Sequence, residues 1–332
     1  MPVLVPSAID LHAHFLPPRY RNAALALGAG HPDGMPFLPE WDPAAAVAMM
    51  DEVGIAAAAL SLSSPGVDFV SDPAERLALT RAVNEDGAAA AAAHPGRFGL
   101  LASLPLPDVA AAGAELARAF DELGADGIGL HTHYDQVYLG DPALEPVMAA
   151  LHDRGAVVAI HPTSPCGWEQ TSFGRPRPMV EFLFDTTRAV VNLALNGVLD
   201  RYPGIRWVVP HAGAALPVMA DRVARFAPVI SPVPDGQATP DVLGGLARLH
   251  YDLAGVPLPR ALPALLSLVP SSQLVYGSDY PFTPAPTVAV LAGAIAGTDV
   301  LDEETRSAAL FGNAAALLPR LATAPAGLPP AQ

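Results

Sequence analysis

The chain has 332 residues, a net charge of −15 and a hydrophobic share of 51% with only 6% aromatics, so its core is expected to be built mainly from Ala, Leu and Val. The acidic balance argues against binding to nucleic-acid backbones, and no apolar run reaches the roughly 20 residues that a bilayer crossing requires. All 18 basic residues are Arg, which excludes Schiff-base chemistry on a lysine and a carboxylated lysine bridging two metals, so that any metal site is expected to be mononuclear.

Short apolar runs recur along the chain, and each reads as a buried strand. The candidates are Val3 to Leu11, Ala56 to Leu62, Phe98 to Leu104, Gly127 to Leu130, Ala156 to Ile160, Arg206 to Val209, Leu249 to Leu253 and Gln273 to Tyr276. Helical stretches separate them. Asp72-Pro73-Ala74-Glu75 has the form of a capping box with proline at the first helical position, opening an Ala-rich helix through about Ala93. Asp108 caps a helix that carries Leu116, Phe120 and Leu123 as its apolar stripe and ends at Gly124. Asp141-Pro142 opens another that ends near Gly155, and Val180 to Tyr202 and Leu216 to Phe226 continue the series.

Strands alternating with helices predict parallel βα units, and eight of them predict a closed (β/α)8 TIM barrel. The reading is one α/β domain with loop insertions over residues 1–321 and an Ala/Pro-rich tail over 322–332. The Pro/Gly-rich segment Leu16 to Trp41 and the segment Ser164 to Pro178 are loops long enough to cover a site, and Ala227 to Thr239 is a third excursion. Met1 to Phe15 has no basic region and no long apolar segment, so no secretory leader is expected and a soluble cytoplasmic protein is. The single Cys166 excludes an internal disulfide.

Five polar residues fall just past such runs: His12, His14, His161, His211 and Asp279. Carboxyl ends of parallel barrel strands are where this scaffold keeps its chemistry. Residues two apart on a strand share a face, so His12 and His14 can converge on one ion. His161 and Asp279 would complete a ligand set suited to one divalent metal, Zn2+ first and Mn2+ as the alternative. The plain structural alternative is that these side chains satisfy backbone groups at strand termini. His131 and His133 repeat the same spacing after the fourth strand; one is expected to line the cavity and the other to be structural. His31, His94, His152 and His250 read as surface or core histidines.

Asp10-Leu11-His12-Ala13-His14-Phe15-Leu16-Pro17-Pro18, Leu60-Ser61-Leu62-Ser63-Ser64-Pro65-Gly66, Ile160-His161-Pro162, His211-Ala212-Gly213 and Tyr276-Gly277-Ser278-Asp279-Tyr280-Pro281 together resemble the amidohydrolase superfamily. Within it they are most similar to the amidohydrolase 2 branch of aminocarboxymuconate-semialdehyde and 6-methylsalicylate decarboxylases. The resemblance implies a metal held by His12, His14, His161 and Asp279, with His211 as acid/base; on chemical grounds Asp279 would also neutralise part of the ion's charge and share in proton transfer. It also implies nonoxidative loss of carbon dioxide from a small aromatic or unsaturated carboxylic acid, and a homodimer. Because the chain lacks lysine, a second cation for the carboxylate would be arginine: Arg222, at a place where the resemblance suggests a substrate-facing arginine, or Arg19, reaching in from the first loop. Phe282 and Trp168 are candidates to pack against an aromatic ring.

Three departures narrow the reading. Trp41-Asp42-Pro43-Ala44 has alanine at about the place where aminocarboxymuconate-type enzymes carry arginine, and His12 stands where resorcylate-type enzymes tend to have glutamate. Ala212 replaces the glycine common after the acid/base histidine. The 6-methylsalicylate-like subgroup remains nearest. Two other classes stay open: a metal-dependent hydrolase of a lactone or amide, and a metal-binding relative without turnover.

Overall fold

The computed structural model describes residues 5, 7–230 and 239–322. Eight parallel strands run in the order β1 (Ala8–His14), β2 (Ile55–Ser61), β3 (Phe98–Ala102), β4 (Gly127–His131), β7 (Val157–His161), β8 (Arg206–Val209), β9 (His250–Asp252) and β10 (Leu274–Val275). A small antiparallel hairpin, β5 (His133–Tyr134) with β6 (Val137–Tyr138), follows β4. Parallel bridges Asp10 to Tyr276 and Ala13 to Tyr280 join β1 to the last segment and close the (β/α)8 barrel.

Alternation along each strand separates two apolar sets. Ile9, Leu11, Ala57, Ala59, Leu101, Val157, Val208 and Val275 fill the barrel interior and are closed off by Leu317, Leu318 and Leu321, whereas Ala58, Leu60, Leu100, Val158 and Val209 face the helical layer. The barrel is therefore a packed plug at one end, and its polar residues collect at the other.

The β1–β2 pairing contains a bulge. Asp10 pairs with Ala58 but Ala13 pairs with Leu60, so β1 uses one more residue than β2 over that stretch. Strict alternation from Ile9 and Leu11 would put Ala13 inside and turn His12 and His14 outward. The extra residue reverses the phase: Ala13 belongs to the outer core, and the two histidines point inward.

The predicted caps form. Asp72 accepts from the Glu75 amide at the start of Pro73–Ala93, and Asp108 accepts from the Ala111 amide at the start of Val109–Asp121. After Asp141 the chain makes one tight turn, Pro142–Leu144, before Glu145–Asp153. The stretch predicted as one helix from Val180 to Tyr202 is two, Glu181–Leu195 and Val198–Arg201, because Gly197 at φ 69° breaks the turn between them. The segment Leu16 to Trp41 is not a plain loop: Pro18 starts the helix Pro18–Ala26, whose residues favour helix, and Pro32–Gly34 forms a further turn. The helix Leu216–Ile230 outruns its predicted end at Phe226; 231–238 of the third excursion, and 323–332 of the predicted tail, lie outside the described residues. No helix among the described residues is long and apolar enough to cross a membrane.

Candidate metal centre

His12, His14, His161 and Asp279 meet at the carboxyl end of the barrel, each offering one donor atom, with all four atoms within 4.8 Å of one another. The three imidazoles are buried, at 4%, 1% and 8% exposure.

Each ring is oriented the same way. His12 Nδ1 lies 2.8 Å from Asp252 Oδ2, His14 Nδ1 lies 3.3 Å from the Ser61 carbonyl oxygen, and His161 Nδ1 lies 2.7 Å from the Pro162 carbonyl oxygen. Carbonyls and an ionised carboxylate only accept, so Nδ1 carries the proton in every case and Nε2 presents its lone pair to the centre. His12 Nε2 and His14 Nε2 are buried without a hydrogen-bond partner among the described residues. Unpartnered, convergent imidazole nitrogens beside a carboxylate fit a divalent ion better than they fit terminal backbone satisfaction.

Without an ion the carboxylates around the cluster favour a second proton on His12, which a bound metal would displace from Nε2. Burial disfavours charge on Asp279, yet the contact with His14 and the neighbouring His12 hold its carboxyl down at about 2. Burial also opposes a proton on His12, but the Asp252 carboxylate outweighs it and lifts the imidazole to about 9. His161 and His14 are pushed below the ordinary histidine value by burial.

Asp279 and His211 sit on strained backbone. Asp279 has φ 59° and donates its amide to the His12 carbonyl at 2.7 Å. His211, Ala212 and Ala214 have φ 57°, 53° and 54°, a run of left-handed residues that presents the imidazole at the end of β8. Ala212 thus occupies a conformation that glycine adopts at lower cost, and it points away from the cavity into the core. The His211 ring centroid is 5.1 Å from that of His12; its amide donates to Asp252 Oδ1 at 2.9 Å, and its Nδ1 has no partner.

A cavity of about 460 Å³ reaches the cluster at His161 and Asp279. His161, His211, Asp279 and Phe282 border it at that end, and Met35, Phe182 and Leu183 supply apolar wall. Phe282 sets its ring edge-on to His14 with centroids 5.8 Å apart.

The other candidate substrate contacts are elsewhere. Arg19 is paired with Asp86 at 3.5 Å and its side chain is 59% exposed. Arg222 is exposed on the helix Leu216–Ile230 with its guanidinium over Phe226. Trp168 stacks under Arg177 at 3.9 Å. None of the three borders the cavity. His131 borders a smaller void of about 20 Å³ beside His12, His14 and His161, where burial lowers it to about 3, and His133 Nε2 donates to the Ser164 carbonyl oxygen at 3.1 Å.

Residue-type reasoning passed over Asp252, Ser61 and Asp33. Asp252 was detectable as an ionisable residue inside an apolar strand; Asp33, in a Pro-Asp-Gly turn, carried only a turn signal.

Comparison with known proteins agrees with this geometry. The amidohydrolase family profile matches residues 9–320. The 6-methylsalicylic acid decarboxylase of Penicillium expansum is 34% identical over 316 residues, covering 94% of this chain and 96% of that protein. A crystal structure of an amidohydrolase II is 38% identical with a TM-score of 0.88, covering 94% of this chain and 100% of the other. The 5-carboxyvanillate decarboxylase of Novosphingobium aromaticivorans, complexed with manganese and 4-hydroxy-3-methoxy-5-nitrobenzoic acid, shares the fold at a TM-score of 0.83 and 23% identity, covering 95% and 97%. With its barrel, its ligand cluster and these likenesses in place, the chain belongs to the amidohydrolase family.

Proposed function

We propose that the protein is a metal-dependent nonoxidative decarboxylase of a small aromatic carboxylic acid, of the 6-methylsalicylate-like hydroxybenzoate type. The observation that carries this reading is the four-donor cluster at the end of a largely apolar cavity edged by Phe282. The similarity to fungal 6-methylsalicylic acid decarboxylases supports it. We take zinc as the resident ion, since three imidazoles and a carboxylate suit it, with manganese as the alternative.

His12, His14, His161 and Asp279 would hold the ion. When bound, it supplies positive charge that accepts the substrate carboxylate or neighbouring hydroxyl and stabilises charge built up as the carbon–carbon bond breaks. The chain's own groups do the rest. Apolar walls exclude water and seat the ring, with the Phe282 edge beside it. Asp279, held ionised, keeps the cluster compact and stands where it can share a proton.

His211 carries the proton. The bonding pair left on the ring carbon when carbon dioxide departs takes a proton from the His211 imidazolium, and the neutral imidazole is reprotonated from solvent. Burial lowers the His211 basicity, which makes its protonated form a stronger acid toward the ring carbon. Fixing the His211 backbone to Asp252 couples this group to the ligand His12 through one carboxylate.

The same centre would serve hydrolysis, so the test reads both. Hydroxybenzoates should release carbon dioxide, while lactones and amides should yield no acid. Acid from the second panel without gas from the first would make the protein a hydrolase, and silence from both with metal bound would make it a noncatalytic binder. We further propose a homodimer, supported by the exposed apolar residues Val218, Phe226, Val229 and Ile230 on one helix, which light scattering would report.

A further inference from the structure

The chain has no lysine, and among the described residues no arginine borders the 460 Å³ cavity. Its polar border away from the ligands and His211 is Ser63 and one carboxyl group, Asp33. Asp33 is 8% exposed and sits at φ 54° in the turn Pro32–Gly34.

The loop from Ser164 to Pro178 holds it there. Ser164 donates its hydroxyl to Asp33 Oδ1 at 2.6 Å, and Arg177 Nε donates to that same Ser164 Oγ at 2.9 Å. The Arg177 guanidinium stacks on Trp168 and lies so close to Gly34 that a Cβ there would meet Nη1 at 2.4 Å. The arginine charge thus reaches Asp33 from behind, away from the cavity, and Arg177 itself is not part of the lining.

We propose that Asp33 is a specificity-determining residue: its carboxyl accepts a hydrogen bond from a ring hydroxyl of the bound acid and rejects a ligand that carries a second carboxylate. The inference rests on reading the cavity as an aromatic-acid site. A second carboxylate here would meet an acidic group and apolar walls with no cation to receive it, whereas a phenol has an acceptor of suitable chemistry. Burial raises the Asp33 pKa, and the bonds from Ser164 and Ser64 and the Arg177 charge act against that rise.

The experiment is a binding cycle by titration calorimetry on metal-replete protein. The ligands are 6-methylsalicylate, 2-methylbenzoate, which lacks the hydroxyl, and 3-hydroxyphthalate, which replaces the methyl with a carboxylate. Wild type, Asp33→Ala and Asp33→Asn are compared, with metal content and circular dichroism confirming intact protein; the asparagine variant retains an acceptor for Ser164. The hydroxyl's contribution should be about tenfold larger in wild type than in Asp33→Ala. Discrimination against the dicarboxylate should relax by about tenfold in Asp33→Asn. A hydroxyl effect or a dicarboxylate discrimination unchanged within about twofold, or no binding of any of the three to wild type, overturns the proposal. Binding that follows the expected pattern without release of carbon dioxide supports the role of Asp33 and sinks only the decarboxylase reading.

Discussion

Asp252 Oδ2 lies 2.8 Å from His12 Nδ1, and its other oxygen accepts the backbone amides of His211 and Ala254 at 2.9 and 3.0 Å. One buried carboxylate therefore holds both the His12 ring, proposed as a metal ligand, and the backbone of His211, proposed as the proton carrier. Such outer partners set metal affinity through the basicity and aim of the ligand.

Asp252→Asn should weaken metal affinity by roughly 10–100-fold while the barrel still folds. Competition against a chromogenic chelator measures it. Unchanged affinity would show that Asp252 serves the backbone alone.

His211→Ala should retain the metal and lower kcat by roughly 10²–10⁴-fold, the range for loss of a positioned acid/base. Metal content and carbon dioxide release on the same sample separate the two effects. A variant with normal turnover would move proton transfer to another group.

Gly277 packs against the centre from the next strand: a Cβ there would lie 2.7 Å from His12 Cβ, 3.2 Å from Ala254 Cβ and 3.3 Å from Asp252 Cβ. These neighbours are main-chain-proximal and cannot swing aside. Gly277→Ala should therefore cost about 1–3 kcal/mol of stability through overpacking and loosen the metal. Chemical denaturation with and without metal checks both parts.

The gathering of His12, His14, His161 and Asp279 at one end of the barrel was legible because barrel strands end in function, and His161 and Asp279 needed only that rule. That His12 and His14 share one face was legible too; the bulge that turns that face inward was not, since it depends on the extra residue in β1 between Asp10 and Ala13, and a period-two pattern carries no mark of it. Arg19, Arg222 and Trp168 lie on helices or loops, where sequence spacing from a motif says little about direction. Arg19 met an acidic neighbour in Asp86, far away in the chain, and Trp168 met Arg177 within its own loop.

His250 supplies a pH test outside the centre. Burial lowers its pKa from 6.5 to about 4, and its Nδ1 has no partner. As pH falls, the unfolded chain takes up this proton before the folded one does, so its share of stability is complete above about 6.5 and is lost on the way down to about 4. The full span corresponds to the order of 1–3 kcal/mol. His250→Gln should flatten the difference in denaturation midpoint between pH 7 and pH 4.5; an unchanged slope would place the acid sensitivity elsewhere.

Metal content per chain, measured by elemental analysis of wild type and His14→Ala purified side by side, tests the central claim most directly. The account predicts close to one equivalent of a divalent ion in wild type and almost none in the variant. Full retention of metal by His14→Ala, or a wild-type protein that binds no divalent ion even when one is supplied, would contradict it.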